Sequence, residues 1–360
     1  MKRHLLATIA IGIASAATAQ IPMLVGTYTD NWSKGIYSFR FDQEAGTATE
    51  LSTTPWANPS YLALSADGKR LYAVDESDKR TDSAAAFDFD ATTGRIIPIN
   101  SQPTGGKAPC FISTNGEIAV TANYNGGSIS VFPIAEDGSL LPHSQKETFA
   151  LTGKAPDKIR QNAAHVHCVR FSPDGTHLFA TDLGNDKIYS FNIKGTTLKL
   201  EKEYSLPDGC GPRHITFSSD GKFAYLITEL SGEVMVLKIA GNQLTPLQKI
   251  DCDPSDARGS ADIHISPDGR FLYASNRLKK DGISIFKIDK ESGLLKNAGY
   301  CKTGIHPRNF NITPNGKYLL CACRDSNAIK VYSIDQETGA LTDTCRDIDI
   351  PHPVCIIFGK

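Results

Sequence analysis

An arginine and a glutamate, Arg213 and Glu229, stand near the two ends of the segment GPRHITFSSDGKFAYLITEL. The residues between them are typical of two short β-strands joined by a Ser-Asp-Gly turn. Antiparallel pairing would bring the two side chains to the same end of the hairpin. An arginine can hold a carboxylate or phosphate through two parallel hydrogen bonds, and a glutamate can take up a proton. The pair therefore indicates either a site for anion chemistry or a simple ion pair.

Two histidines, His165 and His167, flank a valine in the segment RQNAAHVH. Both imidazoles lie on one face if this stretch is a strand. A metal ion would need a third ligand, and Asp182 is the only obvious neighbour. The pattern therefore favours a histidine that forms hydrogen bonds or transfers a proton over a metal ligand.

A repeat determines where these side chains lie. Strand–turn–strand units recur along the chain, and their turn glycines are Gly68, Gly116, Gly175, Gly221, Gly269 and Gly316. Most units are followed by a third strand, such as SISVFPI or KIYSFNI, and by a more variable fourth. Four strands in roughly 45 residues are the pattern of a β-propeller blade.

The two ends of the chain supply a further unit. The C-terminal PHPVCIIFGK resembles only the first strand of a unit, while MLVGTYT and GIYSFRFD near the start resemble only the second and third. Pairing of these ends would close the ring and remove two open sheet edges. A solenoid would need polar capping units, and none is evident. The sequence therefore predicts an all-β, seven-bladed β-propeller over residues 20–360.

In a blade, the start of the innermost strand and the end of the second strand lie at the same mouth of the central channel. Counting from the turn glycines places there Glu76, Tyr124, His167, Arg213, Glu229, Arg277, Arg308 and Arg324. Charged side chains at an inner rim lose hydration and need a partner or a ligand. The set predicts an anion-binding site, with a ring of inter-blade ion pairs as the alternative.

The longest interval between turn glycines separates Gly116 from Gly175. Its extra residues are placed within 142–164, a stretch that includes LTGKAPDKIRQ. We expect a loop here at one face of the ring, where loops often contribute to sites.

Composition and the N-terminus bound the function further. A net charge of −1, with 21% charged residues, gives no reason to expect nucleic acid or an anionic membrane as a partner. Lys2 and Arg3, an apolar run at residues 5–17 and Ala-Thr-Ala before Gln20 indicate a signal peptide over residues 1–19. Export to the periplasm or the exterior follows. The nine cysteines are expected to be mostly core residues, and one disulfide remains open.

The chain resembles the lactonase family of seven-bladed propellers, which includes the cycloisomerase-type 6-phosphogluconolactonases and the fungal carboxymuconate lactonising enzymes. The resemblance rests on LVGTYT, RQNAAHVH, GPRHITFSSDGKFAYLITEL, SPDGRFLYASNR and HPRNFNITPNGKYLL, and it covers nearly all of the mature chain. It implies that the catalytic residues are His167, Arg213, Glu229 and Arg277. The family usually has a proline before the first histidine of its H-x-H motif, whereas this chain has Ala164.

The implied activity is hydrolysis of a sugar-acid lactone by a Glu/His acid–base pair, with arginines that bind the anionic substrate. It requires no metal or organic cofactor. Substrate binding is expected from His165, Arg308, Arg324, Glu76, Tyr124 and Asp182. A carboxymuconate-type cycloisomerase and a non-catalytic exported propeller that binds a protein or glycan are the alternatives. 6-Phosphogluconolactone is a cytosolic metabolite, whereas this chain is predicted to be exported. The sequence therefore does not decide whether the substrate carries a phosphate group. It does not give the oligomeric state either.

Overall fold

The computed structural model describes residues 20–29, 32–77 and 82–359, and the predicted signal peptide lies outside them. Six sheets of four strands and one of five make up this part of the chain. Its one helix is a short 3-10 turn at Arg324–Ser326. No helix within the described ranges has the length and apolar character needed to cross a bilayer.

The strands of the first four sheets in chain order are β1 Gln20–Thr27, β2 Gly35–Asp42, β3 Thr47–Pro55, β4 Leu62–Leu64, β5 Arg70–Asp75, β6 Ser83–Asp90, β7 Arg95–Pro103, β8 Pro109–Thr114, β9 Ile118–Asn123, β10 Ser128–Pro133, β11 Gln145–Thr148, β12 Val166–Phe171, β13 His177–Asp182, β14 Lys187–Lys194 and β15 Thr197–Ser205. Those of the remaining sheets, and the strand that completes the first, are β16 Pro212–Phe217, β17 Phe223–Thr228, β18 Glu233–Ala240, β19 Gln243–Asp251, β20 Ser260–Ile265, β21 Phe271–Asn276, β22 Gly282–Ile288, β23 Leu295–Lys302, β24 Pro307–Ile312, β25 Tyr318–Cys323, β26 Ala328–Ile334, β27 Leu341–Asp343, β28 Ile348–Asp349 and β29 Pro353–Phe358.

The seven sheets close into a ring through the two ends of the chain. Strand β29 pairs with β1 in an antiparallel register that runs from Met23 opposite Phe358 to Thr27 opposite Pro353. The innermost strands β4, β8, β12, β16, β20, β24 and β29 each contact the next around a complete circle. The predicted seven-bladed propeller, with its blade built from both termini, is confirmed.

Burial decreases from the channel outward, as the amino-acid types require. Inner strands such as β16 and β20 begin with four buried residues each, because they lie between the channel and the neighbouring blade. The outermost strand β15 alternates throughout, with exposed residues such as Lys199, Glu201 and Glu203 between buried or half-buried ones. The core therefore consists of apolar side chains packed between successive sheets, and the polar inner ends of the blades are left to form a site.

The cysteines follow the expectation of core residues in most cases. All nine are free, and seven are buried, the exceptions being Cys301 and Cys345. The Sγ atoms of Cys321 and Cys323 lie 3.8 Å apart on one face of β25, which is a contact between thiols and not a disulfide.

Candidate active site

A β-bulge at the start of most inner strands turns one side chain out of the ladder. In β12, Val166 pairs with Asp182 and Cys168 with Thr181, which leaves His167 without a partner. The same shift leaves Cys110, Arg213 and Arg308 unpaired in β8, β16 and β24. Bulges re-aim side chains next to active sites. Three of these four residues, His167, Cys110 and Arg308, line a cavity of about 350 Å³ at the channel mouth.

The second strands deliver the other half of the cavity wall. The residues that directly follow β5, β9, β17, β21 and β25 are Glu76, Tyr124, Glu229, Arg277 and Arg324, and all five line the cavity. Seven of the residues expected from the sequence therefore meet in one place, namely these five with His167 and Arg308. The convergence agrees with the predicted common mouth, while the catalytic roles remain a prediction.

Glu229 is the buried anion at the centre of this site. Its Oε1 lies 2.5 Å from Nη2 of Arg160 and 3.3 Å from Nη2 of Arg277, and its Oε2 lies 2.9 Å from Nε of Arg213. Burial alone would raise the pKa of Glu229, but the charges of the three arginines lower it to about 2. The carboxylate is therefore ionised at neutral pH and holds three guanidinium groups together.

Two of those arginines are built into the fold. Nη1 of Arg213 donates to the carbonyl of Ala261 at 2.5 Å, and Nε of Arg277 donates to the carbonyl of Gly259 at 2.8 Å. Burial lowers the pKa of both guanidinium groups, to about 9 for Arg277, which leaves them charged at pH 7. Although Arg213 was expected to contact the substrate, it is 1% exposed and does not line the cavity. Its guanidinium contacts Glu229, and its expected catalytic role stays a prediction.

His167 has the opposite character, because it is neutral and has an available nitrogen. Burial, followed by the charge of Arg213, lowers the pKa of His167 well below the ordinary value. Its Nδ1 lies 3.8 Å from Sγ of Cys110, and its Nε2 has no hydrogen-bond partner among the described residues. Burial raises the pKa of Cys110 well above its ordinary value, so this neighbour is a thiol. The arrangement suits a histidine that accepts a proton through Nε2.

His165 and Asp182 are not among the residues that line the cavity, and their expected substrate contact stays a prediction. The imidazole of His165 is occupied on both sides, with Nδ1 3.0 Å from the carbonyl of Tyr124 and Nε2 3.0 Å from Oδ1 of Asn162. The carboxylate of Asp182 accepts the backbone N–H groups of His165, Gly184 and Asn185. Both residues therefore shape the chain around β12, and the two histidines of H-x-H have different tasks.

A second carboxylate lies across the cavity but balances little of the positive charge. Tyr28 donates to Oε2 of Glu76 at 2.9 Å, and Nη2 of Arg308 lies 3.9 Å from the same oxygen. Arg324 is neutralised by a two-pronged contact with its neighbour Asp325, at 2.6 and 3.1 Å. The arginines at residues 160, 213, 277 and 308 thus face only two glutamates. The cavity carries an excess of positive charge and favours an anion.

Five lining residues were not predicted as site residues: Tyr28, Cys110, Arg160, Leu278 and His306. Arg160 had a signal, since it belongs to the loop predicted from the longest interval between turn glycines. That loop, residues 149–165, connects β11 to β12 and carries the Arg160 side chain to Glu229. Leu278 follows Arg277 directly. The sequence therefore predicted the place in the chain, through Arg277, but not that Leu278 also lines the cavity.

The fold and this basic cavity define the class of protein. The chain belongs to the lactonase family, because the family model described as Lactonase, 7-bladed beta-propeller matches residues 22–358. The resemblance stated from the sequence motifs is thereby confirmed.

Relatives in sequence and in structure carry names of the same kind. A 6-phosphogluconolactonase of Bacillus subtilis is 36% identical and aligns over 93% of this chain and 97% of its own length. A protein of Bacteroides fragilis provisionally assigned as a 6-phosphogluconolactonase is 51% identical, with a TM-score of 0.93 over 95% of this chain and 98% of that one. The periplasmic gluconolactonase of Pseudomonas aeruginosa is 34% identical, with a TM-score of 0.90 over 95% and 99%. The prediction of a lactonase is confirmed at the level of this class.

Proposed function

We propose that this protein hydrolyses the lactone of a sugar acid that carries an anionic group, in the cavity at the channel mouth. The observation that carries the proposal is the combination of the neutral His167 with an excess of arginine charge in one cavity. A base that is not protonated can activate water, and arginines can hold an anion and stabilise a developing one. The relatives named as 6-phosphogluconolactonases and gluconolactonase support the same reaction.

The reaction is an acyl transfer to water. Nε2 of His167 takes a proton from a water molecule, whose oxygen attacks the lactone carbonyl carbon and forms a tetrahedral oxyanion. When this intermediate collapses, the bond between the carbonyl carbon and the ring oxygen breaks. The ring oxygen leaves as an alcohol with the proton that His167 returns. The products are a hydroxyl group and a carboxylic acid within one open-chain molecule; the acid releases the second proton of the water to solvent and becomes a carboxylate.

The arginines have separate roles in this scheme. Arg277 and Arg308 line the cavity and can donate to the oxyanion or to a substrate anion. Both carboxylate oxygens of Glu229 already contact guanidinium groups, so its role is to hold Arg277 and Arg160 in place. Arg213 holds the Glu229 carboxylate in place through its contact with Oε2. Of the two candidates for the base, we therefore assign His167.

The location of the protein bears on the substrate. We propose that residues 1–19 are a signal peptide and that the remaining chain is a single exported propeller, in line with the name of the periplasmic relative from Pseudomonas aeruginosa. An exported enzyme would meet lactones that lack a phosphate group more often than a cytosolic one. A carboxylate-bearing sugar lactone and 6-phosphogluconolactone are both compatible with the basic cavity.

The test is hydrolysis by the purified protein of gluconolactone, glucarolactone and 6-phosphogluconolactone, with the uncatalysed rate subtracted. His167→Gln should lower kcat roughly 100- to 10,000-fold, the range expected when a general base is removed. His165→Gln is the matched control, because the same change is made two residues away outside the cavity, and most activity should remain. Wild-type rates no higher than those of His167→Gln on all three lactones would reject the proposal in favour of a non-catalytic propeller.

A further inference from the structure

The three arginines on Glu229 differ in how firmly they are held. Arg213 and Arg277 are 2% and 5% exposed in their side chains, and each donates to a backbone carbonyl, that of the neighbouring blade for Arg213 and that of its own blade for Arg277. The Arg160 side chain is 36% exposed, and among the described residues it interacts with the side chains of Glu229 and Tyr124 and with no backbone carbonyl. Arg160 is therefore the guanidinium that can leave Glu229 without loss of a backbone bond.

The segment that carries Arg160 is fastened at a defined point. Oδ1 of Asp157 accepts the backbone N–H groups of Ile159 and Arg160, at 3.0 and 2.9 Å. Its Oδ2 lies 2.8 Å from Nη2 of Arg258, in the connection between the fifth and sixth blades in chain order. One carboxylate thus shapes the turn and ties it to the connection between those two blades. The guanidinium can reorient while its backbone stays in place.

Binding of an anion gives Arg160 a second partner. Arg160 lines the cavity, so an anionic group that enters there comes within reach of its guanidinium. Oε1 of Glu229 would keep Arg277, which already shares that oxygen. Arg160 would then pair with the substrate in a planar two-bond contact, which guanidinium groups form well with carboxylates and phosphates.

We propose that Arg160 is a specificity-determining residue that exchanges Glu229 for the anionic group of the substrate, and that the Asp157–Arg258 ion pair sets its position. This inference rests on the proposed function. It assigns to the inserted loop the choice between charged and uncharged lactones, while the histidine and the fixed arginines carry the reaction itself.

The first test compares KM for charged and uncharged lactones in Arg160→Gln. We expect KM for the charged lactone that the wild type prefers, glucarolactone or 6-phosphogluconolactone, to rise roughly 10- to 100-fold, as for loss of a charge-assisted hydrogen bond. KM for gluconolactone should stay within about threefold. Arg160→Lys should fall between, because lysine keeps the charge without the planar fork. An equal rise for both kinds of lactone, or no change in either, would overturn the proposal.

Two further variants test the ion pair that positions the loop. Asp157→Asn and Arg258→Gln break the same contact from opposite sides, so both should raise KM for the charged lactone by a similar factor, smaller than that of Arg160→Gln. Lys154→Gln is the matched control, since it removes an exposed ion pair with Asp208 from the same loop and should change neither KM. An effect of Lys154→Gln as large as that of Arg258→Gln would show that the loop responds to any lost charge.

A binding measurement separates this inference from the proposed function. Calorimetry with 6-phosphogluconate and gluconate does not require turnover, and the two acids differ only in the phosphate. If the wild type hydrolyses no lactone but binds 6-phosphogluconate at least tenfold more tightly than Arg160→Gln does, the proposed function fails and the role of Arg160 stands. If wild type and variant bind both acids alike and the KM values are also alike, the role of Arg160 is rejected.

Discussion

At the turn end of the inner hairpins, the same hydrogen bond recurs in five blades. The hydroxyl of a serine or threonine donates to the side chain two residues later, in the pairs Ser65–Asp67, Ser172–Asp174, Ser218–Asp220, Ser266–Asp268 and Thr313–Asn315. The distances lie between 2.5 and 2.8 Å. At each of these turns a glycine follows, as at Gly221 with φ +69°, a conformation that L side chains rarely adopt.

At the mouth end of the inner hairpins, the residue changes from blade to blade, and only the last two hairpins in chain order agree. The residue after the second strand is a glutamate, a tyrosine, a leucine, a glutamate and then two arginines, at Glu76, Tyr124, Leu183, Glu229, Arg277 and Arg324. The turn end uses one solution in five blades because it has only to reverse the chain. The mouth end varies because each blade supplies a different part of one site. Positions that repeat build the frame, and positions that do not repeat within it are the ones to test for function.

The largest expected effect on stability and activity comes from removing the charge of Glu229, the carboxylate at the centre of the site. Glu229→Gln removes the negative charge that Arg160, Arg213 and Arg277 share. Loss of one partner from a buried ion pair lowers the free energy of unfolding by about 3–5 kcal/mol. Because Arg277 also loses its orientation, we expect kcat to fall at least roughly 100-fold. Urea unfolding and steady-state kinetics measure the two effects.

Asp220→Asn is the control at the turn end, with the same loss of a carboxylate charge. Asp220 is half exposed and keeps the hydrogen bond from Ser218 through its remaining oxygen. We expect a stability change within about 1 kcal/mol and wild-type kcat. If the two variants lost stability equally, the distinction between frame and site would fail.

The repeat allowed the fold and much of the site to be predicted from sequence. Hairpins of equal length let a count from each turn glycine reach His167 and Arg308, which the structure shows as the bulged residues that face the cavity. The count gave the position of each residue along its strand but not how deeply its side chain is buried. Arg213 occupies the equivalent bulge and is nevertheless covered by Glu229, a difference that depends on side-chain packing between blades.

Three of the residues that were not predicted could not be reached by the same count from a turn glycine. Tyr28 follows β1 in the blade built from both termini, where no turn glycine joins the paired strands β29 and β1. Cys110 precedes a shorter turn than the other bulged residues, which shifts the count. Arg160 lies in a loop without an equivalent in other blades. The positions of these three residues in the cavity wall depend on how the blades and the loop come together in the closed ring. The sequence around each residue does not reveal this arrangement.

The second prediction uses pH to separate the two ends. Burial, reinforced by nearby arginines, lowers the pKa of His167, His214 and His306, to about 3 for His214. In the unfolded chain these rings take up protons below about pH 6.5, and in the folded chain they do not. Their stabilising contribution is therefore complete above pH 6.5 and is lost as the pH falls. Three such groups give a slope of up to about 4 kcal/mol per pH unit between pH 6 and 5.

The turn end responds in a lower range. The hydrogen bond from Ser218 and the backbone N–H of Lys222 lower the pKa of Asp220 to about 2, so its contribution is present above about pH 4 and lost below it. Urea unfolding at pH 7, 6, 5 and 3 resolves the two windows. His306→Gln should reduce the slope between pH 6 and 5 by about a third. A flat stability profile from pH 7 to 5 would contradict the neutral state assigned to the buried histidines.

The smallest effect is expected from a single turn hydroxyl. Oγ of Ser218 donates to Asp220 at 2.7 Å and accepts the backbone N–H of Phe223 at 3.0 Å. Ser218→Ala should lower the free energy of unfolding by about 1 kcal/mol and leave kcat and KM unchanged. Ser65→Ala removes the equivalent hydroxyl in another blade, where Oγ serves Asp67 and the N–H of Arg70. Since the two turns share no partner, the double variant should lose the sum of the single losses. A loss well above that sum would mean that the turns act together in holding the ring, and that the repeated end of the blade does more than reverse the chain.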